Sequence, residues 1–140
     1  MPEDIRMILL VDDEEEDLLT MRQALEGRGY QTLEAGNYDQ ALNLASRHAG
    51  HVDLVVTDIA LPGRNGCELA KSLLRFQPDL KLLFVSGYAG AEICRYYGIK
   101  VAVLHFMRKP ITPAEFVLRV RQVLDSEERS FLMDAEAATS

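Results

Sequence analysis

Residues 7–13 read Met-Ile-Leu-Leu-Val-Asp-Asp, five consecutive apolar residues followed at once by two aspartates. A run that is apolar at every position, rather than at alternate positions, is typical of a strand buried on both faces of a parallel sheet. Similar runs, each with one polar break, follow at residues 52–56 and 80–85. The chain therefore contains strands of a parallel sheet that helices cover on both sides.

Helical patterns separate these runs. Thr112-Pro113-Ala114-Glu115 is the clearest helix start, with an N-cap, a proline in the first turn and a glutamate at the capping-box position. Asn37 opens another helix, with Gln40 as its capping-box partner. The remaining patterns predict helices over 18–28, 66–76 and 89–98, and further strands at 30–34 and within 101–107. This alternation of strands and helices predicts an α/β domain.

Composition limits the classes of function. A chain of 140 residues with 48% hydrophobic residues can form one domain with a full core. Its net charge of -7 argues against direct binding to nucleic acid or to an anionic membrane surface. No apolar stretch approaches the length of a membrane span or a signal peptide, so we expect a cytoplasmic protein without membrane insertion.

Two features concern the ends and the thiols of the chain. We expect one domain over residues 5–125, with 126–140 forming a helix extension or a disordered tail. Cys67 and Cys94 lack histidine or cysteine neighbours at ligand spacing, which argues against a zinc site. We expect two buried or half-buried free thiols rather than a disulfide.

Polar side chains stand at the predicted end of four strands. Asp12 and Asp13 follow the first strand, Asp58 the third, Ser86 the fourth and Lys109 the fifth. Ligands of open parallel sheets bind at this carboxyl edge. Each residue alone has an ordinary explanation, because such an aspartate is often a helix N-cap and Ser-Gly is often a turn. The coincidence of all five at one edge predicts a functional cleft.

The chemistry of that cleft favours a hard cation. Two carboxylates about 4 Å apart repel by about 4 kcal/mol at an effective dielectric constant of 20, so three together need compensation. Carboxylate oxygens and water are the ligands that suit Mg²⁺, which would also neutralise an incoming phosphoryl group. Lys109 would supply a further positive charge to phosphoryl oxygens.

The pattern resembles the receiver domains of response regulators in two-component signalling. Four segments carry the resemblance, which covers about residues 5–125: Leu9–Asp13, Thr57–Gly66, Val85–Tyr88 and Phe106–Pro110. It implies a flavodoxin-like (βα)5 fold, a doubly wound parallel sheet of five strands in the order 2-1-3-4-5.

The resemblance also implies roles for individual residues. Asp58 is the phosphoacceptor; Asp12 and Asp13 bind Mg²⁺ with it, and the backbone carbonyl of Ala60 is a further ligand. Lys109 contacts the phosphoryl group. Ser86 and Phe106 form the switch pair: the hydroxyl moves toward the phosphoryl group and the ring turns inward. The surface around the fourth helix, fifth strand and fifth helix then changes its packing.

The implied partners are a sensor histidine kinase or phosphotransfer domain that supplies the phosphoryl group, and a downstream output protein or domain. A homodimer is a further expected arrangement. The run from Tyr96 to Val101 and the Phe-x-x-Lys-Pro-Ile-Thr-Pro segment at 106–113 look more like the receiver of a hybrid sensor kinase than a stand-alone regulator.

Three other classes remain as alternatives. An aspartate-nucleophile phosphohydrolase needs a second acidic residue two positions after the nucleophile, where this chain has Ala60. A pseudo-receiver that only docks partners would not need the five strand-end side chains. A flavodoxin-like nucleotide binder would need a glycine-rich loop after the first strand, where Asp13 and the glutamates 14–16 would repel phosphates.

Overall fold

The computed structural model describes residues 5–87, 90–127 and 131–132. Its strands are β1 (Met7–Val11), β2 (Gln31–Ala35), β3 (Leu54–Asp58), β4 (Lys81–Ser86), β5 (Ile99–Lys100), β6 (Phe106–Arg108) and β7 (Phe131–Leu132). Its helices are α1 (Glu15–Glu26), α2 (Tyr38–Arg47), α3 (Gly66–Phe76), α4 (Gly90–Tyr96) and α5 (Pro113–Asp125). No helix within these residues is long and apolar enough to cross a membrane.

Five strands form one parallel sheet in the order β2-β1-β3-β4-β6. The flavodoxin-like α/β fold and the order of its five strands are therefore confirmed, since the short β5 lies outside this sheet. The placement of the fifth strand within 101–107 was partly wrong. Residues 103–105 form a 3-10 turn, and the strand runs from Phe106 to Arg108.

The continuous apolar runs are explained by two core layers, one on each face of the sheet. Leu9, Val11 and Val55 point to the layer that α2, α3 and α4 cover. Their neighbours Ile8 and Leu10 point to the layer formed with α1 and α5. Because successive strand residues face opposite sides, a strand with both faces covered must be apolar throughout.

Side chains cap the starts of α2 and α3. Asn65 accepts a hydrogen bond from the backbone N–H of Glu68, and the Glu68 carboxylate accepts one from the Asn65 N–H, which together form a capping box at α3. Asn37 caps α2 as predicted. The predicted capping box at α2 is only half formed, because the Gln40 side chain accepts a hydrogen bond from the backbone N–H of Gly36 and not from that of Asn37.

Helix α5 ends at Asp125, and β7 pairs antiparallel with β5. Residues 128–130 and 133–140 lie outside the described part, so the expectation of a helix extension or tail over 126–140 stays a prediction.

Cys67 and Cys94 are free and buried, as expected, with their sulfur atoms 2.6 Å apart. Contact with Cys67 and burial both raise the pKa of the Cys94 thiol.

Gly66 lets the start of α3 approach the end of β3. A Cβ atom added at this residue would lie 2.2 Å from the carbonyl oxygen of Asp58. The Gly66 N–H also donates to the carbonyl of Ile59 at 2.9 Å. The backbone that carries Asp58 is thus packed directly on a position where only glycine fits.

We expect Gly66→Ala to destabilise the domain, because either the start of α3 or the backbone of Asp58 must move. Forcing an extra carbon into a packed position costs about 1–3 kcal/mol in free energy of unfolding. Urea denaturation measures this change. Gly36→Ala is the matched control, because the nearest atom to its added Cβ lies 3.5 Å away and belongs to the Gln40 side chain. Equal stability of the two variants would contradict the packing argument.

Candidate phosphoacceptor site

The carboxyl edge of the sheet brings together side chains from three strand ends. Asp12 follows β1, Asp58 ends β3, and Lys109 follows β6. The Lys109 Nζ atom lies 3.0 Å from Asp12 Oδ2 and 2.9 Å from Asp58 Oδ2. These three predicted residues therefore form one ion-paired cluster.

Asp58 is held at both carboxylate oxygens. Oδ1 accepts a hydrogen bond from the backbone N–H of Ala60 at 2.9 Å, while Oδ2 accepts from Lys109. The residue as a whole is only 6% exposed and lies on the central strand of the sheet. The carboxylate is thus oriented before any ligand arrives, on a strand that pairs with β1 as far as Thr57 and with β4 at Asp58 itself.

Asp12 is the most deeply buried acid of the cluster, with 1% of its surface exposed. Burial raises the pKa of its carboxyl group and outweighs two contacts that lower it, the backbone N–H of Glu14 and the Lys109 ammonium. The Glu14 N–H donates to Asp12 Oδ1 at 2.9 Å, so the Asp12 side chain also provides a hydrogen-bond acceptor for the backbone just before α1. Asp12 is therefore a turn residue in the ordinary sense and also a member of the ion-paired cluster.

Lys109 has a third partner that the strand-end pattern did not predict. Its Nζ lies 2.8 Å from Oδ2 of Asp17, in the first turn of α1. Burial alone lowers the pKa of the Lys109 ammonium, but hydrogen bonds to Asp17, Asp58 and Asp12 outweigh burial and raise it. Lys109 is therefore a fixed cation, held by three carboxylates.

The donor atoms fit a hard divalent cation. Carboxylate oxygens of Asp12, Asp13 and Asp58 lie within 4.8 Å of one another, close enough to share one ion. All are oxygen ligands, and the exposed Asp13 leaves room for water, as Mg²⁺ requires. The Lys109 ammonium already lies between two of these carboxylates, which indicates that the cluster attracts positive charge. The exposed Ala60 lies beside this group through its N–H bond to Asp58.

The predicted switch residues lie on two neighbouring strands, Ser86 at the carboxyl end of β4 and Phe106 at the start of β6. Ser86 is the last residue of β4 and is buried. Its carbonyl accepts a hydrogen bond from the N–H of Lys109 at 2.9 Å. Phe106 begins β6, opposite Phe84, and its half-buried ring packs against the core layer under α2, α3 and α4.

Two contributors to the site were missed in the sequence. Asp17 could have been found from its place in the first turn of a helix that starts at the site, five residues after Asp12. The peptide bond between Lys109 and Pro110 is cis, and nothing in the sequence predicts this except that the second residue is proline.

The comparisons with known proteins agree on one family. The response regulator receiver domain family matches residues 8–121. The sensor kinase CckA of Brucella abortus is 33% identical over 121 residues, which are 86% of this chain and 13% of that kinase. The aerobic respiration control protein ArcA of Escherichia coli K12 is 32% identical over 117 residues, 84% of this chain and 48% of that protein.

A solved structure supports the same relationship. The non-phosphorylated HemR receiver domain of Leptospira biflexa matches with a TM-score of 0.75 and 33% identity, over 88% of this chain and 97% of that one. This chain thus spans nearly a whole receiver domain but half or less of the two longer relatives. The chain belongs to the response regulator receiver domain family of two-component signalling.

Proposed function

We propose that Asp58 accepts a phosphoryl group from a phosphohistidine of a sensor histidine kinase or phosphotransfer domain. The observation that carries this proposal is the Asp58 carboxylate itself, buried, oriented at both oxygens and 2.9 Å from a lysine ammonium. A nucleophile and a cation for phosphoryl oxygens are thereby in contact before the donor arrives.

The transfer needs no reactant other than the phosphohistidine donor and a proton from solvent. A carboxylate oxygen of Asp58 attacks phosphorus in line, and the new O–P bond forms as the P–N bond of the donor breaks. The electron pair of that bond leaves with the imidazole nitrogen, which takes a proton from solvent. The chain's part is to position the carboxylate and to offer Lys109 to the negative oxygens.

Asp12, Asp13 and Asp58 would hold Mg²⁺, with the Ala60 carbonyl as a further ligand. When bound, the ion neutralises charge on the phosphoryl oxygens as the transfer proceeds. Without a cation these carboxylates and an anionic donor would repel one another, which is the physical reason to expect metal dependence.

Ser86 and Phe106 would convert the new charge into a change of surface. A phosphoryl group adds acceptor oxygens at the end of β3, beside the buried Ser86 on β4. The hydroxyl moves toward them, and the space it leaves lets the Phe106 ring turn inward. The surface of α4, β6 and α5 then takes up its second packing, which a downstream protein, an output domain or a second copy of the chain would read.

The family contains both settings for such a domain. The match to the sensor kinase CckA supports a receiver within a hybrid kinase, whereas the match to ArcA supports a regulator with an output domain. The phosphohydrolase alternative has no support in the site, because the residue two positions after Asp58 is an alanine.

We expect wild-type protein incubated with acetyl phosphate and Mg²⁺ to gain a single phosphoryl adduct, measured by intact mass. Asp58→Asn removes the nucleophile and should abolish the adduct, while Asp39→Asn in the first turn of α2 should leave it unchanged. Chelation of Mg²⁺ should also prevent labelling. An adduct that persists at full yield in Asp58→Asn would refute the site assignment.

Lys109→Ala should slow adduct formation about ten- to a hundred-fold, because a charge-assisted hydrogen bond contributes about 1.5–3 kcal/mol. The rate is followed by intact mass over time at saturating Mg²⁺. Lys100→Ala, a lysine in the short strand β5, is the matched control and should react at the wild-type rate. Identical rates for both variants would remove Lys109 from the mechanism.

Ser86→Ala should separate phosphorylation from signalling. We expect the adduct to form, because Asp58 and Lys109 are intact, while the Phe106 ring resonances shift less than in phosphorylated wild type. NMR spectra of the ring before and after labelling measure this. A full wild-type shift in the variant would show that the hydroxyl does not drive the ring.

A further inference from the structure

Of the three acids that accept hydrogen bonds from Lys109, Asp17 is the one that does not stand at a strand end. Its Oδ2 atom lies 2.8 Å from Nζ, and its side chain is 33% exposed, against 1% for Asp12 and 7% for Asp58. We propose that Asp17 is a positioning residue for Lys109, the counter-ion that keeps this ammonium in place when the other two carboxylates take up ligands. This inference rests on the proposed function of Asp58.

A count of hydrogen bonds supports the assignment. A lysine ammonium has three donors. In this structure they point to Asp12, Asp17 and Asp58, one oxygen each. Metal binding and phosphorylation both use oxygens of Asp12 and Asp58, so Lys109 must give up or share two of its three partners.

Asp17 is not among the acids that can share one ion with Asp58. The carboxylates that can share one ion with Asp58 are those of Asp12 and Asp13, whereas the second set close enough to share an ion, Asp12, Glu14 and Asp17, does not include Asp58. Asp17 can therefore stay on Lys109 while the central carboxylates change partners. The ammonium then changes its hydrogen-bond partners without moving out of the cleft into solvent.

The ordinary explanation of an acid in a first helical turn does not account for this contact. Glu15 and Glu16 stand in the same turn of α1 and interact with the helix dipole equally well. Of these three acids, it is Asp17 whose carboxylate reaches Lys109. The helix is fixed in this orientation because Met21 and Leu25 on it are buried in the core layer with α5.

Two effects should follow from Asp17→Asn. Without its outer partner, Lys109 binds more firmly to Asp12 and Asp58 and competes with the metal, so Mg²⁺ affinity should fall. At saturating Mg²⁺, Asp12 and Asp58 are occupied and no remaining carboxylate holds the ammonium beside the phosphoryl oxygens, so adduct formation from acetyl phosphate should slow. A partly exposed ion pair contributes up to about 1 kcal/mol, which corresponds to a change of about two- to five-fold in each quantity.

The experiment measures Mg²⁺ affinity from amide NMR shifts of Asp12 and Asp13, and adduct formation from intact mass. Glu16→Gln is the matched control, because it removes one charge from the same helical turn at an exposed residue. Asp17→Glu keeps the charge and should restore wild-type behaviour. We expect Asp17→Asn to differ from Glu16→Gln in both measurements.

A double-mutant cycle with Lys109→Ala tests whether Asp17 acts through Lys109. Both effects of Asp17→Asn should disappear in the Lys109→Ala background. Effects that persist there, or an Asp17→Asn variant equal to Glu16→Gln, would overturn the inference and leave only a general effect of charge. Wild-type protein that binds Mg²⁺ but gains no adduct would refute the proposed function, while the affinity measurements would still decide the role of Asp17.

Discussion

The site depends on one balance of charge, the Lys109 ammonium among the carboxylates at the carboxyl edge of the sheet. Asp12 and Asp58 are almost completely buried and both contact this ammonium. Without it they would repel each other across a short distance in a region of low dielectric constant, at a cost of several kcal/mol. The cluster is therefore stable as a whole, and a change at any one member alters the partners of the rest.

The sheet fixes the inner members of the cluster, whereas its outer member lies on a partly exposed helical turn. Asp58 lies on the central strand, with β1 on one side and β4 on the other, and α3 packs on its backbone at Gly66. Asp17 is instead partly exposed on the first turn of a helix. Fixed inner residues suit the proposed nucleophile, and a partly exposed outer residue suits the proposed exchange of partners at the ammonium.

A path from the site to the edge of the sheet is built into the strand register. Asp58 pairs with Val85 in β4, and the next residue, Ser86, accepts a backbone hydrogen bond from Lys109 just beyond β6. The same short strand β6 begins at Phe106. A new charge on Asp58 is thus one strand away from the proposed hydroxyl switch and two strands away from the aromatic ring.

The sequence by itself determined the α/β class, the five-stranded parallel sheet and three members of the charged cluster. It could do so because a strand buried on both faces is apolar throughout, and because all parallel strands end at the same edge. The limits of α3 were also readable, since the helix predicted over 66–76 runs from Gly66 to Phe76. Only the tertiary structure showed that Asp17 completes the coordination of Lys109, that Gly66 meets the Asp58 carbonyl, and that the fifth strand begins at Phe106. Those features depend on how α1, α3 and the segment after α4 pack against the sheet, and distances between elements that are remote in sequence leave no local pattern.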